Sequence, residues 1–281
     1  MKILFIGTGL IGGSFSLALQ EKKVLGQAGG YSRNPINLDK SISLGIIQKK
    51  FLTLEEGISW ADWIILSIPV DAIVKLLPAI LDQINSNQAV IDFGSTKGSI
   101  CEVVRNHKNR SRFIAAHPIA GTEYSGPEAA FPNLFEKKSM LICERELTDS
   151  ELMQRFEKLC IDLTMKVDFL SATDHDRHLA YISHLSHVTS YALSNAVLDK
   201  EKDGSVILEM AGSGFASTVR LAKSSPEMWA PIFLDNKKMV MEALSQYTNH
   251  LTKFQQLLEN DDIEGLLTFL REGREIGKIL K

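Results

Sequence analysis

A chain of 281 residues, 44% of them hydrophobic and 23% charged, can bury more than one ordinary core, and two domains are expected. A formal net charge of −3 with scattered basic residues excludes the electrostatic footprint of a nucleic-acid or anionic-membrane binder, so the expected ligand is a small molecule. Cys101, Cys143 and Cys160 lack metal-like spacing and fit buried thiols in a reducing compartment. With no signal-peptide pattern and no apolar run of about 18 residues, a cytoplasmic protein without a membrane span is expected.

Residues 3–6 are a short apolar run of the kind found in strands buried on both faces, and they lead into Gly7-Thr8-Gly9-Leu10-Ile11-Gly12-Gly13. A helical pattern follows through Phe15, Leu17, Ala18 and Leu19. Between a strand and a helix, G-x-G-x-x-G has a mechanical meaning: Gly7 makes the turn, Gly9 admits a pyrophosphate close to the backbone, and Gly12 lets the helix pack on the strand. The free amides of the helix start, at Leu10 and Ile11, then face the phosphates.

The second strand is expected to end near Gly30 and Tyr31, where an acidic residue about twenty positions past the glycines would hold the ribose of NAD. Ser32-Arg33-Asn34 stands there instead. Ser32 removes a carboxylate that would repel a 2′-phosphate and Arg33 offers it a planar fork, which favours NADP. A small polar residue also suits the plain ribose of NAD, and Arg33 also reads as a solvated surface arginine.

Residues 63–69 read as another buried strand, with Ser67 and Pro69 at its cofactor end and Asp71 starting a helix through Ile73, Leu76, Leu77 and Ile80. Residues 89–93 give a further strand, followed by Gly94-Ser95-Thr96-Lys97-Gly98 and a helix through Ile100, Val103 and Val104. Ser95 and Lys97 sit where substrate or nicotinamide lies in a doubly wound sheet, although Ser95 also reads as a helix cap. The apolar run 113–116 then delivers His117-Pro-Ile-Ala-Gly-Thr-Glu123 to the mouth of a strand. A glycine-containing loop, an apolar stretch at 139–143, a helix for which Thr148 and Glu151 have capping-box spacing, and a last strand at 166–170 follow.

Beyond Ser171 the pattern is helical, through Leu179, Ile182, Leu185, Val188, Ala192 and Val197, with further helices expected over 204–211, 217–224, 226–258 and 263–279. The expected fold class is α/β: a Rossmann-like dinucleotide-binding domain over 1–170, then an all-helical domain over 171–281 that binds substrate and dimerises. The long helices carry more apolar surface than one small domain covers, so a homodimer is expected.

A dinucleotide site without a metal cluster or nucleophile elbow argues for hydride transfer, and oxidising an alcohol calls for a group that takes the hydroxyl's hydrogen. Of the seven histidines, His117 is suited to it by position. His175 and His178 flank Asp176 and read as solvated charge at a helix start. Ser183-His184-Leu-Ser-His187 puts two histidines on one face of an apolar helix, nearly in line with Tyr191. They need either internal partners or a ligand between the domains, and a metal site there lacks an evident third ligand. Arg220, after the glycine-containing loop at 212–214, is a solvated helical arginine or the partner of a substrate carboxylate; Trp229 reads as core.

Taken together, Gly7-Thr-Gly-Leu-Ile-Gly-Gly-Ser14, Asp92-Phe-Gly-Ser-Thr-Lys-Gly98, His117-Pro-Ile-Ala-Gly-Thr-Glu123, Ser183-His-Leu-Ser-His187, Gly214-Phe-Ala-Ser-Thr-Val-Arg220 and Trp229 resemble the prephenate and arogenate dehydrogenases of tyrosine biosynthesis over essentially the whole chain. The resemblance implies NAD(P)-dependent oxidative decarboxylation of a cyclohexadiene. It implies that His117 accepts the substrate hydroxyl's hydrogen bond, that Ser95 orients that group and the cofactor, and that Arg220 binds a carboxylate with His187 in the pocket. It also implies that Glu123 and Asp176 join an ionic network at the pocket entrance. Prephenate is the expected substrate and arogenate the alternative; a hydroxyacid dehydrogenase or imine reductase is more remote. Departures are Ser32, where many NAD-using relatives have aspartate, and Ser186, where proline often precedes the pocket histidine, so a less bent helix is expected. The end at Lys281 leads to the expectation of no appended regulatory or chorismate mutase domain.

Overall fold

The computed structural model describes residues 1–202 and 207–279. Among these, eight strands form one sheet: β1 (Lys2–Ile6), β2 (Gln27–Tyr31), β3 (Lys49–Lys50), β4 (Trp63–Leu66), β5 (Ala89–Asp92), β6 (Phe113–Pro118), β7 (Ser139–Cys143) and β8 (Lys166–Leu170). Their order is β3-β2-β1-β4-β5-β6-β7-β8, parallel throughout except for the antiparallel pair β6 and β7. From β1 the chain winds outward through β2 and β3, then returns to lay β4 on β1's other side. The chain reverses its winding there, and ligands of such sheets bind beyond the strand ends at that crevice.

The apolar runs form strands because both sheet faces are covered, so alternate residues enter different cores. In β1, Ile3 and Phe5 join one core while Leu4 and Ile6 join the other; in β4, Trp63 and Ile65 separate from Ile64 and Leu66 in the same way. The first core is closed by α1 (Leu10–Glu21), through Phe15 and Leu19, and reaches Leu38 of α2 (Pro35–Ser43). The second takes Ile58 of α3 (Leu54–Trp60), Ile73 and Leu77 of α4 (Val70–Gln83), and Ile100 of α5 (Gly98–Val103). Later, α6 (Ser150–Asp162) returns Leu152 and Phe156 to the first core.

α7 (Ala172–Leu179) passes through a π-helical turn at Ala180–His184 into α8 (Leu185–Lys202). After residues 203–206 come α9 (Ser213–Thr218), α10 (Pro226–Asp235), α11 (Lys237–Glu259), α12 (Ile263–Arg274) and α13 (Ile276–Ile279). The chain divides into two compact units, Met1–Asn236 and Lys237–Lys281. The first unit carries the sheet and α7 to α10, because Ala172, Trp229 and Ile232 enter the second core. Packing therefore does not break at 170/171. In the second unit, Phe254 and Phe269 meet with ring centroids 5.5 Å apart, while Leu251, Leu258, Ile263 and Leu270 are exposed. No described helix is long and apolar enough to cross a membrane.

Several local expectations change. β3, two lysines on the sheet edge, has no apolar pattern to betray it. Thr148 does not cap α6: its hydroxyl donates to the Phe113 carbonyl, and Asp149 caps by accepting from the Leu152 amide. α4 starts at Val70 behind Pro69, with Asp71 inside its first turn. The helix expected over 204–211 lies partly outside the described residues, and its described part is a 3-10 turn at Leu208–Met210. The helix expected over 217–224 divides into α9 and a 3-10 turn at Arg220–Lys223. That expected over 226–258 breaks at Asn236, whose side chain is buried and bonded to its own unit. The one expected over 263–279 divides at Glu275. Burial keeps all three thiols inert, pushing Cys143 up to about 12.

Candidate active site

The glycine turn follows β1 beside the end of β4. Gly7 has a left-handed φ of +93°, and a Cβ there would lie 2.5 Å from the Ser67 carbonyl oxygen. At Gly12 a Cβ would lie 2.2 Å from Ser67 Oγ and 2.3 Å from the Gly7 carbonyl oxygen, so only glycine lets α1 approach. The Ser67 hydroxyl donates to that carbonyl at 2.6 Å and ties the turn to β4. Gly9, the residue before α1, differs: the nearest atom to its Cβ position is 4.0 Å away. The turn is thus tight at Gly7 and Gly12 and open at Gly9, where the amides of Leu10 and Ile11 begin α1. This is a cradle that fits a dinucleotide pyrophosphate. Beyond β2, Ser32 Oγ accepts from the Asn34 amide and Arg33 is exposed. Pro69 is exposed at the end of the β4 turn.

The ends of β5 and β6 build the second part of the site. His117 lies inside β6, paired with Leu141 of β7, so the sheet itself holds its backbone. Its Nδ1 is 2.9 Å from Nε2 of His175, and His175 Nδ1 is 2.8 Å from Oδ1 of Asp176. Asp176 also accepts from the Lys97 amide on Oδ1 and the Gly98 amide on Oδ2, both at 2.8 Å, and so caps α5 from a distant helix. Asp176 is therefore buried and fully engaged within the protein, a correction to its expected place at the pocket entrance. His175 is likewise fully buried rather than solvated.

Lys97 is another correction. It is fully buried and ion-paired with Asp92, so it braces the turn after β5 instead of reaching a ligand. Burial raises the Asp92 pKa against the opposing Lys97 charge, and one Asp92 oxygen finds no hydrogen-bond partner among the described residues. Ser95, half-buried in the turn after β5, caps no helix: Lys97 occupies the cap position.

Burial sets the protonation states. It drives the His117 pKa well below the usual imidazole value, and His175, Lys97 and His184 lower it further. Burial also lowers His175, against the pull of Asp176. At Asp176 burial opposes the charge, but the His175 hydrogen bond and the two α5 amides outweigh it and the pKa falls. Near neutral pH the three groups are thus two neutral imidazoles and one carboxylate.

The helical residues supply the rest. His184 is buried, accepts on Nδ1 from the Asn236 amide group, and meets the edge of Trp229; burial lowers its pKa to about 4. Asn236 also donates to the Asp176 carbonyl, which explains the break between α10 and α11. His187 stacks on Trp229 with centroids 3.5 Å apart, and its Nδ1 donates to the Ser183 carbonyl at 3.0 Å. That carbonyl belongs to the π-helical turn, so the segment is less regular than the missing proline led one to expect. Tyr191 donates to the Ser224 carbonyl. Arg220 pairs with Glu123 at 3.1 Å, joining the loop after β6 to the segment after α9, with the guanidinium about half exposed.

Contacts thus run from His117 through His175, Asp176, Asn236, His184 and Trp229 to His187. Sequence reasoning missed His175 and Asn236. A signal existed for His175, which shares the buried face of α7 with Ala172 and Leu179 at spacings of three and four. For Asn236 there was none.

A doubly wound sheet with a tight glycine turn at its switch point, completed by a helical segment carrying buried histidines, defines a Rossmann-like nucleotide-binding protein. Residues 15–168 match the family model described as prephenate dehydrogenase, nucleotide-binding domain, and residues 171–272 match that of the prephenate dehydrogenase dimerization domain. The chain belongs to the prephenate dehydrogenase family. A prephenate dehydrogenase of Lactococcus lactis is 29% identical, covering 100% of this chain and 77% of its own. The crystal structure of prephenate dehydrogenase from A. aeolicus with hydroxyphenyl propionate and NAD+ is 29% identical over 100% of this chain and 98% of its own, with a TM-score of 0.90. The Synechocystis arogenate dehydrogenase structure is 27% identical over 100% of both chains, with a TM-score of 0.79.

Proposed function

We propose that this chain is an enzyme catalysing the NAD(P)-dependent oxidative decarboxylation of prephenate to 4-hydroxyphenylpyruvate in tyrosine biosynthesis. The observation that carries the reading is the His117 imidazole at the end of β6, held on one side by His175 and so left with one ring nitrogen for a ligand. When bound, the dinucleotide accepts hydride from the ring carbon bearing the hydroxyl; Gly7, Gly9, Gly12, Leu10, Ile11, Ser67 and Pro69 form the turns that hold it. His117 accepts the hydroxyl's hydrogen bond and stabilises the positive charge that develops on that carbon. Ser95 orients the same hydroxyl. Loss of the ring carboxylate as carbon dioxide returns its electron pair to the ring, which becomes a phenol and keeps its proton.

Arg220 binds a substrate carboxylate, in competition with Glu123, which guards the entrance through their ion pair. Burial lowers the His187 pKa, and because its Nδ1–H is spent on Ser183, neutral His187 offers only an acceptor at Nε2. It donates to a substrate carboxylate when protonated, which a dianionic substrate favours. The same acceptor supports a second reading, arogenate, whose ammonium group would donate to it. Ser183 and His184 act through the backbone and ring they present to His187 and Trp229. The substrate-binding half begins at residue 171, and exposed Leu251, Leu258, Ile263 and Leu270 support a homodimer. Ser32 and Arg33 support use of NADP as well as NAD.

Reduced-nicotinamide formation at saturating prephenate or arogenate, each with NAD and NADP, tests this. Turnover with prephenate at least ~10-fold faster than with arogenate is expected; no turnover in any of the four combinations overturns the reading.

A further inference from the structure

Hydrogen-bond chemistry around His117 determines more than its position. We propose that His175 is a positioning residue which, anchored by Asp176, holds His117 in the tautomer with a proton on Nδ1 and a bare Nε2. This rests on the reading of His117 as acceptor for the substrate hydroxyl.

The direction of the relay follows from its carboxylate end. Both oxygens of Asp176 accept backbone amides of α5, so the group is tied as an acceptor. His175 Nδ1 at 2.8 Å must then carry the hydrogen. A neutral imidazole with Nδ1–H has a lone pair on Nε2, and among the described residues its hydrogen-bond partner there is His117 Nδ1 at 2.9 Å, which must be the donor. His117 Nε2 is left bare. The opposite arrangement needs His175 to be an imidazolium; it would donate to His117 Nδ1 and leave His117 with Nε2–H, a donor where the reaction needs an acceptor. Full burial of His175, with the Lys97 cation also buried nearby, works against that charge. Asp176 adds a second constraint, since the same carboxylate fixes the first turn of α5, just beyond Ser95. One buried residue pair therefore orients both the acceptor and the turn that carries the serine.

The test begins on the free enzyme, so it does not depend on knowing the substrate. Ring nitrogen-15 shifts of histidine-labelled protein, assigned by the signals lost in His117→Asn, are expected to show Nδ1 protonated and Nε2 bare on His117. Finding Nε2 protonated overturns the proposal whatever the enzyme turns over. In His175→Leu, if folded as judged by circular dichroism, kcat is expected to fall about 10²-fold with KM changed less than about threefold, and the His117 ring to become a mixture of tautomers. His175→Gln, whose amide oxygen can still accept from His117, is expected to recover about tenfold of that loss. A kcat within about threefold of the parent in His175→Leu, or no recovery in His175→Gln, overturns the proposal. Absence of turnover in the parent enzyme, with Nδ1 protonated, would instead sink the functional reading and leave the relay standing.

Discussion

The glycine turn after β1 and the histidine relay on β6 belong to one sheet, with β4 and β5 between them, and are built on opposite principles. The turn is local and steric: residues 7–12 and the end of β4 leave no room for a Cβ at Gly7 or Gly12, and backbone amides supply the binding groups. The relay is long-range and electrostatic, joining β6, α7 and the start of α5 through a ring-to-ring contact spanning 58 positions and a backbone-amide-to-carboxylate bond spanning 79. The first should fail when volume is added. The second should fail when a proton is misplaced, even if every atom stays where it was.

The largest effect should come from the relay's working end. His117→Asn is expected to lower kcat by about 10²–10⁴-fold while leaving the affinity for reduced nicotinamide, followed by fluorescence titration, within about twofold. Loss of cofactor affinity to the same degree would show that the two regions are not separable. On the steric side, Gly12→Ala should weaken cofactor binding by at least about 10²-fold and lower the melting temperature, because its Cβ falls 2.2 Å from Ser67 Oγ. Gly9→Ala should keep the melting temperature within a few degrees, since no atom lies closer than 4.0 Å, yet still weaken binding. Equal destabilisation by the two substitutions would refute the division of labour between those glycines.

Arg220→Ala is expected to raise KM by about 10–100-fold with a smaller change in kcat, the loss of a charge-assisted contact. Glu123→Gln should change KM by less than about fivefold, because Arg220, half exposed, is solvated when the pair opens. A larger effect of Glu123→Gln than of Arg220→Ala would reverse their assigned roles.

The smallest effect is on stability. His184 has a folded pKa of about 4 against an unfolded value near 6.5. Above pH 6.5 both states are neutral and its titration adds nothing. As pH falls from 6.5 towards 4, the unfolded chain takes up the proton first, so stability is lost at up to about 1.4 kcal/mol per pH unit, to about 3 kcal/mol in all. His117, His175 and His187, all shifted in the same direction, steepen the fall. His184→Asn, which keeps an acceptor for Asn236, should flatten the dependence of melting temperature on pH over this window. An unchanged slope would place the buried protons elsewhere.

Much of the sheet was legible because a strand buried on both faces is apolar at nearly every position. That is why 3–6, 63–69 and 89–93 stood out while the two lysines of β3 did not. His117, Arg220, Glu123 and His187 were recognisable as motif members. The pairing of Arg220 with Glu123 was not, since 97 residues separate them. Asp176 and Lys97 were misplaced for one reason: a charged residue near a helix end reads as solvated or ligand-facing unless its buried partner is known. Asn236 broke a helix that its own periodicity would have continued, through bonds to a carbonyl and a ring 60 and 52 residues away.

The sequence by itself determined the periodicities, the glycines without which the turn cannot close, and the short motifs that mark the family. These depend on residues within a few positions of one another, where sterics and burial of a pattern leave few choices. Only the tertiary structure decided which buried charges meet, that Asp176 caps α5 while anchoring His175, and which ring nitrogen of His117 is left bare. A tautomer is set by partners across space, and hydrogen-bond direction carries no signature in the order of residues.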